Sequence, residues 1–338
     1  MGGLFGGLLA LLSAATFAFN NASLRRGVLT GSVAQAMAVT VPIGFPIFLL
    51  AALLAGQIGA VFQFSMKSVV LLLSAGVIHF VWGRYCNYRA TRAIGANLVA
   101  PVQQMSLIVT LLLALTVLGE VLTPLRLLGI FLVIIGPSVT GRGQALKDNG
   151  KKGDARQPID PAKTQAFEPR YAEGYLFALL STTGYGVSPI LIRLALQHKG
   201  LGSSIAAGLL AYTAATVVMG LILLWPGRWR EVRNTERVAV KWFTISGVFV
   251  CVSQMFLYMA VSLAPLTIVT PINRLSLVFR LYFGRIINPQ HEMFGGRVIL
   301  GTLVCIAGAA VLSLSTESVV DALPLPAWIE PVLHWHWP

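Results

Sequence analysis

Stretches of about 20 mainly apolar residues, long enough for a helix to cross the hydrocarbon core of a bilayer, follow one another along this chain with short polar gaps between them. In the first half they run from Leu4 to Asn21, Val33 to Leu54, Ser68 to Tyr88, Ala96 to Leu118 and Pro124 to Thr140. In the second they run from Glu173 to Leu196, Ser203 to Trp225, Val238 to Leu263, Leu266 to Ile287 and Gly295 to Leu314. The pattern predicts an all-α polytopic membrane protein with ten transmembrane helices. Between the halves, Gly141 to Tyr171 is polar, carries Lys151-Lys152-Gly153-Asp154 and three prolines, and reads as a linker. The expected organisation is a five-helix unit over 1–140, a linker over 141–172, a second unit over 173–314 and a tail over 315–338.

The two halves repeat one another. Gly6-Gly7-Leu8-Leu9-Ala10-Leu11-Leu12-Ser13 lines up with Gly174-Tyr175-Leu176-Phe177-Ala178-Leu179-Leu180-Ser181. Tyr88, Ala90 and Pro101 align with Tyr258, Ala260 and Pro271, and Glu120, Gly129 and Gly136 with Glu292, Gly301 and Gly308, one small indel separating the two registers. An odd number of spans per repeat makes the halves enter the membrane in opposite directions. That inverted-repeat architecture is used for alternating access around a site near the midplane; a symmetric scaffold or channel is the plainer use of the same duplication.

Composition agrees with a membrane class: 56% of the 338 residues are hydrophobic and 11% charged, whereas soluble domains average about 25% charged. The formal net charge of +13 is distributed unevenly. One set of gaps holds Arg25, Arg26, Arg89, Arg92, the seven cations of the linker, the five between Arg228 and Lys241, Arg285 and Arg297; the other holds Lys67, Arg126, Arg193 and Lys199. By the positive-inside rule the linker is cytoplasmic and both termini are outside. With the cations in these short gaps, no nucleic-acid partner is expected. Cys86, Cys251 and Cys305 are far apart in apolar stretches and read as buried thiols.

Polar side chains inside spans usually face the bundle interior or a water-filled cavity. Arg84 and Tyr88 share a helical face at i, i+4, and the repeat places Gln254 and Tyr258 at the equivalent positions. Gln103 and Gln104 follow Pro101, and Asn273 and Arg274 follow Pro271. A two-fold axis would bring these four sets toward a central cavity, with the prolines freeing backbone carbonyls or kinking the helices; the alternative is that the amides are hydrogen-bond glue between helices. Arg84, Arg274 and Arg280 fall inside spans in which no Asp or Glu lies deep, so a bound anion is an economical counter-charge, with Arg274 the leading ligand. Snorkelling of Arg84 to the interface, or pairing with backbone carbonyls, is the other reading. His79 is the candidate for any proton coupling; Phe17 aligns with Tyr185 and Asn20 with Ser188 as further repeat partners, although Asn20 and Asn21 could simply cap a helix end. His334 and His336, flanked by tryptophans, fit an interfacial anchor better than a metal site. Enzyme templates such as H-E-x-x-H, the P-loop and G-x-S-x-G are missing from the sequence, so neither an enzyme nor a cofactor is expected.

Leu118-Gly119-Glu120-Val121-Leu122-Thr123-Pro124, followed by Leu128-Gly129 and Ile134-Ile135-Gly136, resembles the segment that closes each EamA repeat of the drug/metabolite transporter superfamily. Tyr88-x-Ala90 with Pro101 is similar to the same repeat, while Gln290-His291-Glu292 and Phe294-Gly295 depart from it in the second copy. The resemblance implies two inverted five-helix repeats, a central cavity and transport of small organic solutes, often export of amino acids or related metabolites, across a plasma membrane, the inner one in a bacterium. It also implies cytoplasmic termini for many relatives, against which the charge count is kept. Glu120 reads as a structural residue at the N-terminus of the fifth span, where a carboxylate suits the helix dipole. The expected partners are a small-molecule solute and membrane lipid. A lipid-phosphate translocase or membrane interaction protein is the competing reading.

Overall fold

The computed structural model describes residues 2–28, 30–94, 96–132, 134–135, 170–197 and 199–287, with residues 300, 303–304, 307–308 and 311 beyond them. Most of the linker, most of the tenth expected span and the tail, with Arg297, Glu292 and the His334–Trp337 run, therefore lie outside the described residues.

Those residues are helical throughout except for turns and one isolated bridge. In the first half, α1 spans Gly2–Gly27, α2 Val33–Thr40, α3 Gly44–Leu54, α4 Met66–Gly76, α5 Arg84–Ile94 and α6 Ala96–Leu118, and α7 occupies 124–132. In the second, α8 spans Tyr171–Leu196, α9 Ser204–Leu223, the short α10 Arg228–Arg233, α11 Arg237–Leu263, α12 Leu266–Asn273 and α13 Ser276–Ile287. Six of the resulting rods are long and apolar enough to cross a membrane: Gly3–Gly27, Val33–Leu54, Met66–Ile94, Tyr171–Leu196, Leu201–Leu223 and Arg237–Leu263. They are three from each half and match the first three expected spans of each.

Local chemistry sets the helix ends. Ser32 and Gln35 form a reciprocal capping box at the start of α2, and the Ser65 side chain caps α4. Pro42 stands where the second span divides into α2 and α3. Gly119, at φ +64, ends α6 in the left-handed region that suits glycine, and the Glu120 N–H turns back to the Ala114 carbonyl at 3.1 Å.

The repeat seen in the sequence recurs as a repeated contact. Gln103 Nε2 on α6 donates to Ser181 Oγ on α8 at 3.3 Å. Asn273 Nδ2 on α12 donates to Ser13 Oγ on α1 at 3.3 Å, and in the alignment Gln103 pairs with Asn273 and Ser13 with Ser181. The larger packing follows suit, α1 lying against α11, α12 and α13 while α8 lies against α4, α5 and α6. If the two bonds are equivalent glue, Ser13→Ala and Ser181→Ala will each lower stability by a similar small amount, about 0.6 kcal/mol, read as matched shifts in thermal melting in one detergent.

The helix ends also sort by charge. At one end Ser32 Oγ donates to Glu231, Arg26 lies over the Trp242 ring, and Glu173 pairs with Arg89 and Arg170. At the other, Lys199 donates to the Gln63 carbonyl and Arg193 to that of Val261. Among the described residues, the basic gaps around Arg25, Arg89 and Arg228–Lys241 thus lie at one end of the bundle.

Candidate functional site

The third rod is not a regular α-helix. Between α4 and α5, Val77–Gly83 forms seven residues of π-helix, a geometry rare in proteins and frequent at functional sites. The wider turn shifts the angular position of everything after it, so His79 within it and Arg84 just beyond it are both brought to the interior. Glycines allow this crowding: Gly76 lies against the backbone of Ala211 on α9, and Gly83 against the Tyr185 ring.

A small polar cavity opens there, lined from α1 by Phe17, Asn20 and Asn21, from the third rod by His79, Arg84, Asn87 and Tyr88, from α8 by Tyr185, and from α11 by Val250 and Gln254. Its free volume is about 10 Å³ for the centre of a water, room for roughly one molecule. The bundle is therefore drawn tight around the site, and a solute can enter only if helices move apart.

His79 ties three rods together. Its Nδ1 lies 2.6 Å from Ser188 Oγ on α8 and its Nε2 3.4 Å from Gln254 Nε2 on α11. With the Gln254 amide donating, Nε2 accepts and the Nδ1 proton goes to Ser188, an assignment made from the network. The imidazole also sits 4.8 Å from the Tyr185 ring and 4.9 Å from Phe80. Gln254 Oε1 is buried with no partner among the described residues. Nearby, Ser246 Oγ donates to Asn20 Oδ1 at 2.6 Å.

Arg84 is 3% exposed, which removes snorkelling as its role. One guanidinium nitrogen donates to the Thr40 carbonyl at 3.2 Å, and the group stands 5.3 Å from the Phe80 ring. The phenols of Tyr88, Tyr185 and Tyr212 lie within electrostatic reach. Among the described residues no carboxylate comes within 4.0 Å of it; the ion pairs there are Arg89 and Arg170 with Glu173, and Arg228 with Glu231, all at the basic end. The cavity thus combines one buried cation with neutral amides, hydroxyls and an imidazole.

Of the residues expected at a central site, His79, Arg84, Tyr88, Tyr185 and Gln254 line this cavity together. Tyr258, Gln103, Asn273 and Arg274 lie elsewhere. Tyr258 is buried among core aromatics, its ring 6.4 Å from Phe48 and its hydroxyl without a partner among the described residues. Gln103 and Asn273 make the inter-helix bonds described above. Arg274, expected to lead the site, stands at the break between α12 and α13 and donates from Nη2 to Ser106 Oγ on α6 at 2.6 Å; its Nε is buried without a partner among the described residues. The break explains this, because a continuous ninth helix would have carried Arg274 on a different bearing. The side chain of Gln104 lies outside the described residues. Asn87 and Val250 were not singled out from the sequence. Asn87 sits three residues after Arg84 on the same face, a signal that was available; Val250 gave none.

A search with the whole fold finds a solved structure, titled only as the crystal structure of a protein, that is 17% identical, covers 95% of this chain and 98% of its own, and superposes with a TM-score of 0.64. At that identity the likeness concerns the fold alone. No curated protein matches the chain. The sequence profile of the EamA-like transporter family matches it twice, over residues 4–141 and 172–314.

Proposed function

This chain belongs to the EamA-like transporter family, and from that premise we propose that it carries small organic anions across a membrane by alternating access, as an exporter or exchanger. In this reading the chain forms ten spans in two inverted five-helix repeats, with the linker in the cytoplasm and both termini outside, in a plasma membrane. The observation that carries the substrate class is Arg84: a buried guanidinium in the polar cavity, with no carboxylate beside it among the described residues. An unpaired buried charge costs several kcal/mol, and a carboxylate or phosphate on the solute offsets that cost while taking the guanidinium fork. Asn20, Asn87, Tyr88 and Tyr185 are placed to hold the rest of a small polar solute, and Phe17 and Val250 to exclude a larger one.

The test is counterflow into liposomes carrying the purified protein, with labelled amino acids, organic acids and phosphate esters run beside neutral sugars and nucleosides. Uptake confined to solutes bearing a carboxylate or phosphate is expected. Uptake of the neutral set alone would keep the transporter and remove the anion, and no uptake of any member while labelled phospholipid crosses the bilayer would replace the reading with lipid translocation.

A further inference from the structure

We infer that Glu120 is a positioning residue for transport: its carboxylate latches α12 at the end of the bundle opposite the basic one, and release of that latch opens the cavity to that side. The inference rests on the alternating-access reading above.

Glu120 was expected to serve the N-terminus of its own following helix. Its carboxylate instead reaches the other half of the molecule, where Oε1 accepts from the Leu266 N–H at 2.8 Å and Oε2 from the Thr267 N–H at 2.9 Å. The first N–H groups of a helix have no partner within it. Pro265, at the cap position of α12, supplies no side-chain acceptor, so both donors are served by Glu120. The charge also meets the positive end of the helix dipole. Gly119 makes the reach possible, because its left-handed turn ends α6 and swings the next residue across.

The position of this contact gives it a role beyond packing. Of the carboxylates among the described residues, Glu173, Glu231 and Glu236 lie at the basic end, and Glu120 alone lies at the other. The cavity spans the middle of the bundle and reaches toward the basic end: Asn20 and Asn21 are in the last third of α1 and Arg84, Asn87 and Tyr88 in the last part of the third rod, while Tyr185, Val250 and Gln254 are at or past the middle of α8 and α11. The latched helix α12 is eight residues long, held at its start by Glu120 and ending in a turn at Arg274 and Leu275, where Asn273 bonds to Ser13 and Arg274 to Ser106. A short rigid helix with a latch at one end and a hinge at the other is a lever. When it swings, water can take up the Leu266 and Thr267 N–H groups, so opening strands no buried donor. Its hinge end carries Asn273, whose bond to Ser13 Oγ continues to Ser253 Oγ at 3.2 Å. Movement of α12 therefore breaks the Asn273–Ser13 bond and loosens Ser13 from Ser253, which donates to the Ser13 carbonyl at 2.9 Å and is 1% exposed with the latch closed.

The experiment uses single-cysteine reporters at Thr267 and at Ser253, each in full-length protein with Cys86, Cys251 and Cys305 replaced by serine. The rate of modification by a charged methanethiosulfonate is measured in detergent without any solute. Glu120→Gln keeps the shape and one acceptor but removes the charge, and is expected to speed modification at both positions by about ten-fold; Glu120→Ala is expected to speed it further. Unchanged rates at both reporters overturn the latch. Acceleration at Thr267 alone overturns it too, since that pattern means local fraying of the helix start. Melting curves of the Glu120 variants confirm that the rates come from folded protein. No solute takes part, so failure of the latch and failure of the transport reading are separately visible: the first appears in these rates, the second in counterflow by the unmodified protein.

Discussion

Arg84→Gln is expected to abolish counterflow of anionic solutes, lowering apparent affinity by at least about 30-fold, while leaving the melting temperature of the solute-free protein unchanged or raised. The two halves of that outcome come from one cause. A guanidinium 3% exposed, with the Thr40 carbonyl as acceptor at 3.2 Å, the Tyr212 hydroxyl beside it and no carboxylate nearby among the described residues, is a desolvated charge with partial compensation. Replacing such a charge with a neutral group of similar volume is often neutral or stabilising. For the bound anion the same change removes a buried charged hydrogen-bonded pair, a loss of about 2–5 kcal/mol in other complexes. Arg84→Lys keeps the charge but not the planar fork and is expected to fall between, with weakened affinity and preserved preference for anions. Arg274→Met is the control, because Arg274 bonds to Ser106 outside the cavity; it is expected to lower stability and leave the anion preference intact. If Arg84→Gln lowers the melting temperature by several degrees and the surviving protein keeps its affinity, Arg84 is a packing residue and the substrate assignment fails.

The parts of this site that depend on helical period were legible in the sequence; the parts that depend on departures from it were not. Arg84 and Tyr88 share a face at i, i+4, and the repeat pointed from them to Gln254, all three of which line the cavity. Arg84 and Arg274 each lie next to an irregularity. Val77–Gly83 reads as ordinary apolar helix, and nothing in its composition announces a π-turn that carries Arg84 inward. Pro101 and Pro271 occupy equivalent positions, yet α6 runs on unbroken while the ninth rod breaks after Asn273 and turns Arg274 toward Ser106. The proline alone does not decide between those outcomes. Glu120 shows the same limit at longer range: the motif placed it at a helix junction correctly, but which helix it would cap depended on tertiary packing between the halves.

Gly76→Ala is expected to be the most destabilising one-carbon change in the described bundle, costing about 1–3 kcal/mol or more, whereas Gly220→Ala is expected to stabilise by about 0.5–1 kcal/mol. Both glycines are helical and both replacements add one methyl group, so propensity alone predicts a gain at each. The surroundings reverse the sign at one of them. A Cβ at Gly76 would overlap the backbone carbonyl of Ala211, where α4 and α9 come together, and a neighbouring backbone cannot rotate out of the way as a side chain can. At Gly220 nothing lies within 4 Å, so the methyl group meets open space. Gly44 and Gly208 are intermediate cases, since the atoms a Cβ would meet there belong to the Tyr212 and Phe48 rings, which are stacked on each other at 4.9 Å and can shift only together. Gly76 also immediately precedes the π-turn, so forcing α4 away from α9 changes the bearing of His79 and Arg84. Thermal melts of the two variants in the same detergent should therefore move in opposite directions, and the folded fraction of Gly76→Ala should show weakened solute binding that Gly220→Ala does not share. Equal melting temperatures for the two would mean that α4 and α9 do not approach as closely as described, and the cavity they help to shape would have to be redrawn.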